Sequence, residues 1–381
     1  MSVNHHCSFF SPFLPSIDTV TFLVEVGNAK VSVETDEGIG PLHIAADNNY
    51  RDLAVYLINL GEADLNATDS DGMTPGHLAV LSSNYEILKL LLEAGADTSC
   101  TDNDHLTMLH HCADLSPCKM LLEWGADFTA RDENGATPFL RACAEGNNIV
   151  ALYLLDAHDK KVETNEKCAM GKKLVAPTSC MGDSDGDNCN CFHVVASRGD
   201  DEFLGLLVER AKRDHNWDFL RSLFEQRTRD SNQSPVHFAA RAGHLKCIMN
   251  ISSEYRFDEV FPVEHRDSEG RTALHLAKMH GKLHLIDDLV NKLGADPEAL
   301  DHNGQTYEEI DVIEDSDDGG YGSDEYIRSD DEYGDGDESL PDIENLHLSH
   351  QSSHDSFAAH FFNAEDDVDS DDFDPGIVGD Y

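Results

Sequence analysis

The residues with most chemical reach in this chain of 381 are 21 histidines and 10 cysteines. Cys180, Cys189, Cys191 and His193 together offer the donor types of a tetrahedral zinc centre. Their spacing argues against one, because Cys189-x-Cys191 is not the usual C-x-x-C pair and His193 belongs to a pattern that recurs along the chain. Asp183, Asp185 and Asp187 alternate like the first ligands of a calcium loop. That loop needs Gly where Asn188 stands and a bidentate Glu where Val194 stands, so the reading fails. His110-His111-Cys112 sets a base beside a thiol, but Cys112 falls at a position that elsewhere holds a small core alanine, which favours packing over chemistry. A phosphate-binding G-x-x-x-x-G-K-[ST], a zinc-binding H-E-x-x-H, a G-x-S-x-G elbow and a G-x-G-x-x-G turn are all absent. The expectation is therefore a non-enzymatic chain with no catalytic residue, no cofactor and no metal. A metal- or thiol-dependent enzyme would have to be built on segments outside the regular pattern.

That pattern decides the rest. Gly38-Ile-Gly-Pro-Leu-His43-Ile-Ala-Ala46 returns as Gly72-Met-Thr-Pro-Gly-His77-Leu-Ala79, then as Thr107-Met-Leu-His110-His-Cys-Ala113 and Gly135-Ala-Thr-Pro-Phe-Leu140-Arg-Ala142. Further copies are Cys191-Phe-His193-Val-Val-Ala196, Ser234-Pro-Val-His237-Phe-Ala-Ala240 and Gly270-Arg-Thr-Ala-Leu-His275-Leu-Ala277. The first two steps, from His43 to His77 and on to His110, are 34 and 33 residues. In three units a second motif follows the first: Leu90-Leu-Leu-Glu-Ala-Gly-Ala-Asp97, Leu121-Leu-Glu-Trp-Gly-Ala-Asp127 and Leu293-Gly-Ala-Asp296. These residues resemble the ankyrin repeat, a T-P-L-H-x-A unit with a period of 33. The resemblance covers residues 16–310, about seven to eight units. It implies an all-α solenoid of stacked helix-turn-helix units with β-hairpin or turn connections, and a protein-binding role.

The chemistry of each position agrees. Pro75 and Pro138 suit a first helical turn, where the missing N–H costs nothing, and Thr74, Thr137 and Thr272 can cap it. Leu followed by Ala at i+3 and i+4 puts bulk and small residues on one face, so neighbouring helices approach closely. Gly95 and Gly125 can stop the second helix with a left-handed cap. Asp69, Asp132 and Asp267, each followed by Gly three residues on, read as the turn into the next unit. A six-fold recurrent His at 43, 77, 110, 193, 237 and 275 reads as a bond to neighbouring backbone; Leu140 in the fourth unit forgoes it.

Departures from the pattern set the boundaries. Residues 1–15 are expected to be disordered, 16–157 to hold an N-terminal cap and units one to four, 158–190 to be an inserted loop, 191–310 to hold units five to seven and a C-terminal cap, and 311–381 to be an acidic disordered tail. Ser16 is expected to start the N-terminal helix and Gly27 to end it. Trp217, Leu220, Leu223 and Phe224 have the spacing of an extra amphipathic helix, and residues 254–263 form a shorter insertion.

Charge narrows the partner. Asp+Glu number 74 against 27 Lys+Arg, a net charge of −47, which opposes contact with nucleic-acid phosphates or an anionic membrane. Residues 311–381 carry 24 acids and one base, Arg328, with apolar islands at Ile343-Leu346-Leu348 and Phe357-Phe361-Phe362. Ser316, Ser323, Ser329 and Ser370 each precede two acidic residues and are candidate phosphorylation sites. Scattered cysteines and no apolar run of membrane length point to a cytoplasmic or nuclear monomer.

The function expected is a scaffold or adaptor that binds a protein partner through hairpin tips and exposed first-helix positions, with the tail serving a basic partner or regulation. The candidate contacts are Ser70, Asp71, Met73 and Leu81 in the second unit and Asn103, Asp104, Leu106 and His111 in the third. The fourth supplies Glu133, Asn134, Ala136 and Arg141, and the seventh Ser268, Glu269, Arg271 and Met279. The alternative is a substrate-recognition subunit of a larger complex, a ubiquitin ligase or signalling regulator. A further hypothesis turns inward: the tail docks on the basic stretch 209–229 of its own chain as a self-inhibitor.

Overall fold

The computed structural model describes residues 17–26, 30–31, 34–168, 180–214, 217–254 and 262–313. Ser16, Gly27, the tail from residue 314, its four serines and most of the 254–263 insertion lie outside the described residues.

Helix α1 (Ile17–Glu25) is followed by pairs that obey the sequence rules. In the first two pairs a short inner helix opens on Pro and a longer outer helix follows: α2 (Pro41–Asp47) and α3 (Arg51–Leu60), then α4 (Pro75–Leu81) and α5 (Tyr85–Ala94). In the third unit the outer helix α6 (Leu115–Glu123) stands alone, because residues 108–111 form turns rather than a helix. The physical reason is a deletion. Leu115 comes five positions after His110, whereas Tyr85 comes eight after His77, so the inner segment has no last turn. Met108, Leu109 and His110 are nevertheless buried where a helix would place them.

The fourth unit pairs α7 (Pro138–Glu145) with α8 (Asn148–Cys168), a 21-residue helix. Residues 158–168 of the expected inserted loop thus continue that helix, while residues 180–190 build the hairpin of the fifth unit. That unit comprises α9 (Cys191–Arg198), α10 (Asp201–Asp214) and the extra helix α11 (Trp217–Glu225), on which Leu220, Leu223 and Phe224 are buried. The ring of Phe224 meets that of Phe192 edge-on at 4.9 Å. The sixth and seventh units are α12 (Pro235–Ala242) with α13 (Leu245–Ser253), and α14 (Ala273–Met279) with α15 (Ile286–Asn291). Inner helices stack on inner helices, as α7 on α9, α9 on α12 and α12 on α14. Their small residues permit this: Ala45, Ala79, Ala196, Ala239, Ala240 and Ala277 are fully buried between units. The described residues contain no named strand; Thr101–Thr107 and Ser184–Asn190 make isolated antiparallel bridges, so the connections are turns more than hairpin strands.

The recurrent histidine explains why the inner helices are held in register. In His43, His77, His110, His193, His237 and His275, Nδ1 accepts the backbone N–H of the residue three positions back, at 3.0–3.2 Å. An Nδ1 that accepts leaves the proton on Nε2. For five of the six that Nε2 donates to a carbonyl of the next hairpin: His43 to Met73 at 3.2 Å, His110 to Ala136 at 3.3 Å, His193 to Gln233 at 3.3 Å, His237 to Arg271 at 3.3 Å and His275 to Gln305 at 3.2 Å. Each of these rings caps its own helix and ties it to the following unit. Burial pushes His77, His110 and His237 down to about 4 and His193 to about 3.

Two outcomes follow. His237→Ala leaves the Ser234 amide and two hairpin carbonyls without their ring partner, and should cost about 2–4 kcal/mol in urea unfolding; an unchanged midpoint would contradict the assignment. The pH dependence has a definite sign. These rings are neutral when folded but take up protons below about 6.5 when unfolded, so their stabilisation is complete above that pH and is lost as pH falls toward 4. The unfolding free energy from urea titration should decline from pH 6.5 downward by about 1 kcal/mol per pH unit for each such histidine, whereas a flat profile between pH 7 and 5 would be inconsistent with buried neutral rings.

Candidate functional site

Each unit begins with a tight turn whose geometry the sequence dictates. The N–H of the first residue donates to the carbonyl four positions on, as Asp69 to Met73, Asp102 to Leu106, Asp132 to Ala136 and Asp267 to Arg271, all at 3.0 Å. The aspartate side chain closes the same turn from the other side. Asp69 Oδ1 accepts the amides of Asp71 and Met73 at 3.0 and 2.8 Å, and Asp102 Oδ1 those of Asp104 and Leu106 at 3.0 and 2.8 Å. Asp185 does the same with Asp187 and Cys189 at 3.0 and 2.8 Å. The Asp183-Asp185-Asp187 run is therefore the turn of the fifth unit. Thr35 and Thr228 take the aspartate's place in the first and sixth turns through their hydroxyls. In the sixth the turn is one residue longer, with Asn232 at φ 54°.

The turns are joined tip to tip by single backbone bonds. Ser70 N–H donates to Glu37 O at 2.7 Å, Asn103 to Asp71 at 2.9 Å, Glu133 to Asp104 at 3.0 Å and Gly186 to Asn134 at 2.6 Å. Arg229 donates to Asp187, Ser268 to Ser231 and His302 to Glu269, each at 2.9 Å. The four predicted tip pairs, Ser70 with Asp71, Asn103 with Asp104, Glu133 with Asn134 and Ser268 with Glu269, all sit on this ladder and are exposed. Sequence reading missed Glu37, Asp187, Asp230 and His302, which occupy the tips of the first, fifth, sixth and last turns. The signal was present as Gly or Asn three residues after Thr35, Asp185 and Asp301.

The remaining candidates divide. Leu81 is exposed and Met73 half-buried, whereas Leu106 and Ala136 are buried (3% and 0%) because the turn places the fifth residue against the core; neither offers a contact surface. His111 is not presented either. Its Nε2 meets Asp102 Oδ2 at 2.9 Å, with both side chains under a tenth exposed. Burial raises the Asp102 carboxyl, but the hydrogen bonds from His111 and the Leu106 amide outweigh it and hold the group below its usual range. Arg141 donates to Glu145 at 2.6 Å and Arg271 to Asp267 at 2.8 Å, so their guanidinium charges are already matched. Met279 takes Arg271 Nη1 on its sulfur at 3.6 Å.

The possible chemical sites also resolve. Cys112 lies against the Met108 carbonyl, and burial pushes its thiol well up, so no base–thiol pair forms with His111. Both nitrogens of His193 are occupied, and among the described residues no group of three His, Cys, Asp or Glu is placed to hold a metal. In the basic stretch 209–229, Arg210 pairs with Asp156 at 2.7 Å, Arg221 with Glu225 at 2.8 Å and Lys212 with Glu209 and Glu254 at 3.1 and 2.8 Å. Three of the six cations of this stretch are thus paired within the array. No described helix is long and apolar enough to cross a membrane.

Comparison with known proteins agrees with this geometry. The family model for ankyrin repeats matches residues 13–102 and 192–301 in three copies, just over half of the chain. A stretch of 82 residues, 20% of this chain and 11% of the relative, is 43% identical to the ARF GTPase-activating protein Git of Drosophila melanogaster. Another of 75 residues, 19% of this chain and 49% of the relative, is 43% identical to human protein phosphatase 1 regulatory subunit 27. The chain thus spans about a tenth of the first relative and about half of the second.

The ladder makes a comparison between two glycines decisive. Gly72 and Gly95 both have positive φ, 78° and 100°, so either alanine substitution carries backbone strain of about 1–2 kcal/mol. A methyl on Gly95 meets nothing within 4 Å, whereas one on Gly72 would come within 2.7 Å of Asn103 N. Gly72→Ala should therefore destabilise clearly more than Gly95→Ala in thermal unfolding; equal losses would mean the tip contact is not tight.

Proposed function

The chain belongs to the ankyrin-repeat family, and on that premise we propose that it is a scaffold or adaptor, without catalytic activity of its own, holding a partner protein along the row of hairpin tips. One observation carries the reading. The tips form a single row in which Glu37, Asp71, Asp104, Glu133, Asp187, Asp230 and Glu269 lie on or beside the ladder, one carboxylate per step. Neighbouring stacked helices sit about 8–10 Å apart, so the row is a ruler of negative charge suited to a basic, extended segment of a protein. Nucleic acid is the wrong sign for it. The tail, with Ser316, Ser323, Ser329 and Ser370 as phosphorylation sites, would add charge of the same sign. A monomer in the cytoplasm or nucleus fits this role, and none of the described cysteines is joined in a disulfide.

A second reading is a regulatory or substrate-recognition subunit of a larger complex, such as a ubiquitin ligase or signalling regulator. Its support is the similarity to a relative named as a phosphatase regulatory subunit. Recovery of the chain from cells in fixed stoichiometry with a catalytic subunit would favour it.

The test of the first reading reverses three tip charges, as Asp71→Lys, Asp104→Lys and Glu133→Lys together. These side chains are exposed, so the fold should survive, as circular dichroism would check. A partner recovered with the native protein and then purified should bind the variant about tenfold or more weakly and with a flatter salt dependence. Equal affinity at all salt concentrations would move the binding surface elsewhere.

A further inference from the structure

The described chain ends on a contact that ties it to the other end of the inner helices from the tips. After the last turn, residues 311–313 run back to α14, and the Ile313 N–H donates to the Met279 carbonyl at 2.8 Å. Val312 packs beside Gly281, where a methyl on that glycine would be 3.6 Å from Val312 Cγ1. The chain therefore leaves the array next to Lys278 and Lys282, and neither lysine has an ion-pair partner among the described residues. The Lys282 stem runs along Gly243, the left-handed cap of α12, whose last turn carries Arg241. A protein of net charge −47 thus holds two lysines, neither in an ion pair among the described residues, at the C-terminal end of its last inner helix.

The next residues in the sequence are Glu314-Asp315-Ser316-Asp317-Asp318. An extended chain covers at most about 3.5 Å per residue, so these five reach roughly 17 Å from Ile313. That suffices to pass both Lys278 and Lys282. Because Ile313 is already seated, the ordering entropy of the encounter is small, and the segment meets the cations at a high effective concentration. The acidic tips at the opposite ends of the same helices repel it toward this edge.

We propose that residues 314–318 dock on the cationic edge formed by Lys278 and Lys282, so that the start of the acidic tail shields this end of the array from other anionic partners. Phosphorylation of Ser316, in the middle of the segment, tightens the dock. The proposal does not depend on what binds the tips.

Zero-length carbodiimide cross-linking of the full chain, read by mass spectrometry, tests it. Lys278 or Lys282 should be joined to residues 314–318 about fivefold more often than Lys89 or Lys119 at low salt, and the excess should fall when salt is raised to screen exposed charges. Phosphorylated Ser316 should raise the excess further. As a second arm, Glu314→Gln, Asp315→Asn, Asp317→Asn and Asp318→Asn together leave the array's own residues untouched. This variant should speed amide exchange over residues 279–284 to the rate of the native chain in high salt. Equal cross-linking to all four lysines, or exchange unmoved by neutralising the segment, would overturn the proposal.

Discussion

A buried carbonyl or amide at the base of a hairpin needs a partner, and here the partner is supplied by the unit next door. The imidazole of the preceding unit reaches across with Nε2, and the tip amide reaches across with its own N–H. A unit alone would leave both unsatisfied and its alanine face exposed. Stability in such an array is a sum of unit and interface contributions, and the histidine belongs to both, because the same ring caps its own helix. Two junctions depart from this scheme: His77 Nε2 has no hydrogen-bond partner among the described residues, and Leu140 stands where the fourth histidine would be. Leu140 has no polar atom to offer the fifth hairpin, but it keeps the buried volume, and Thr137 still caps the helix. There Arg131 bridges the carbonyls of Gly135 and Ser184, a polar tie on the outside of the same junction. Arg266 repeats the device between Gly270 and Leu300.

The same constraint explains where the chain tolerates extra length. Inner helices and tips are fixed by neighbours on both sides, whereas the route from an outer helix to the next hairpin is fixed only at its ends. Lengthening such a connection costs little, since closure entropy grows slowly with length. The excursion after α8, the helix α11 and the insertion after α13 all fall on this route. Helix α11 stays because it has an apolar face of its own, with Leu220 and Phe224 buried against the array.

How much of this could be read from residues alone depended on which position carried the signal. Pro, Thr, His and the alanine pair each solve a local problem with one residue type, so the inner helices were legible, as was the amphipathic stretch from Trp217. The tips were read at Asp69, Asp132 and Asp267, each with Gly three residues on, and missed at Asp301, where the same spacing recurs. The fifth hairpin was obscured because Asn188 replaces that glycine and the alternating aspartates resemble ligands, although Asp185 spends its carboxylate on backbone amides. Leu106 was misplaced because period alone does not tell which turn residue faces the core; hydrogen bonding to the aspartate four positions back does. The pairing of His111 with Asp102 depends on two segments nine residues apart folding together, which no single motif encodes.

Continuity of the stack across the longest excursion is the claim on which the interaction surface rests, since a broken row of tips would be two short surfaces. Native-state hydrogen exchange of the tip amides measures it residue by residue. If the ladder is unbroken, Gly186 and Arg229 are protected to the same degree as Asn103 and Glu133, although all four lie in exposed turns. If Gly186 and Arg229 exchange as fast as an open loop while Asn103 and Glu133 remain protected, the units before and after the excursion stack separately.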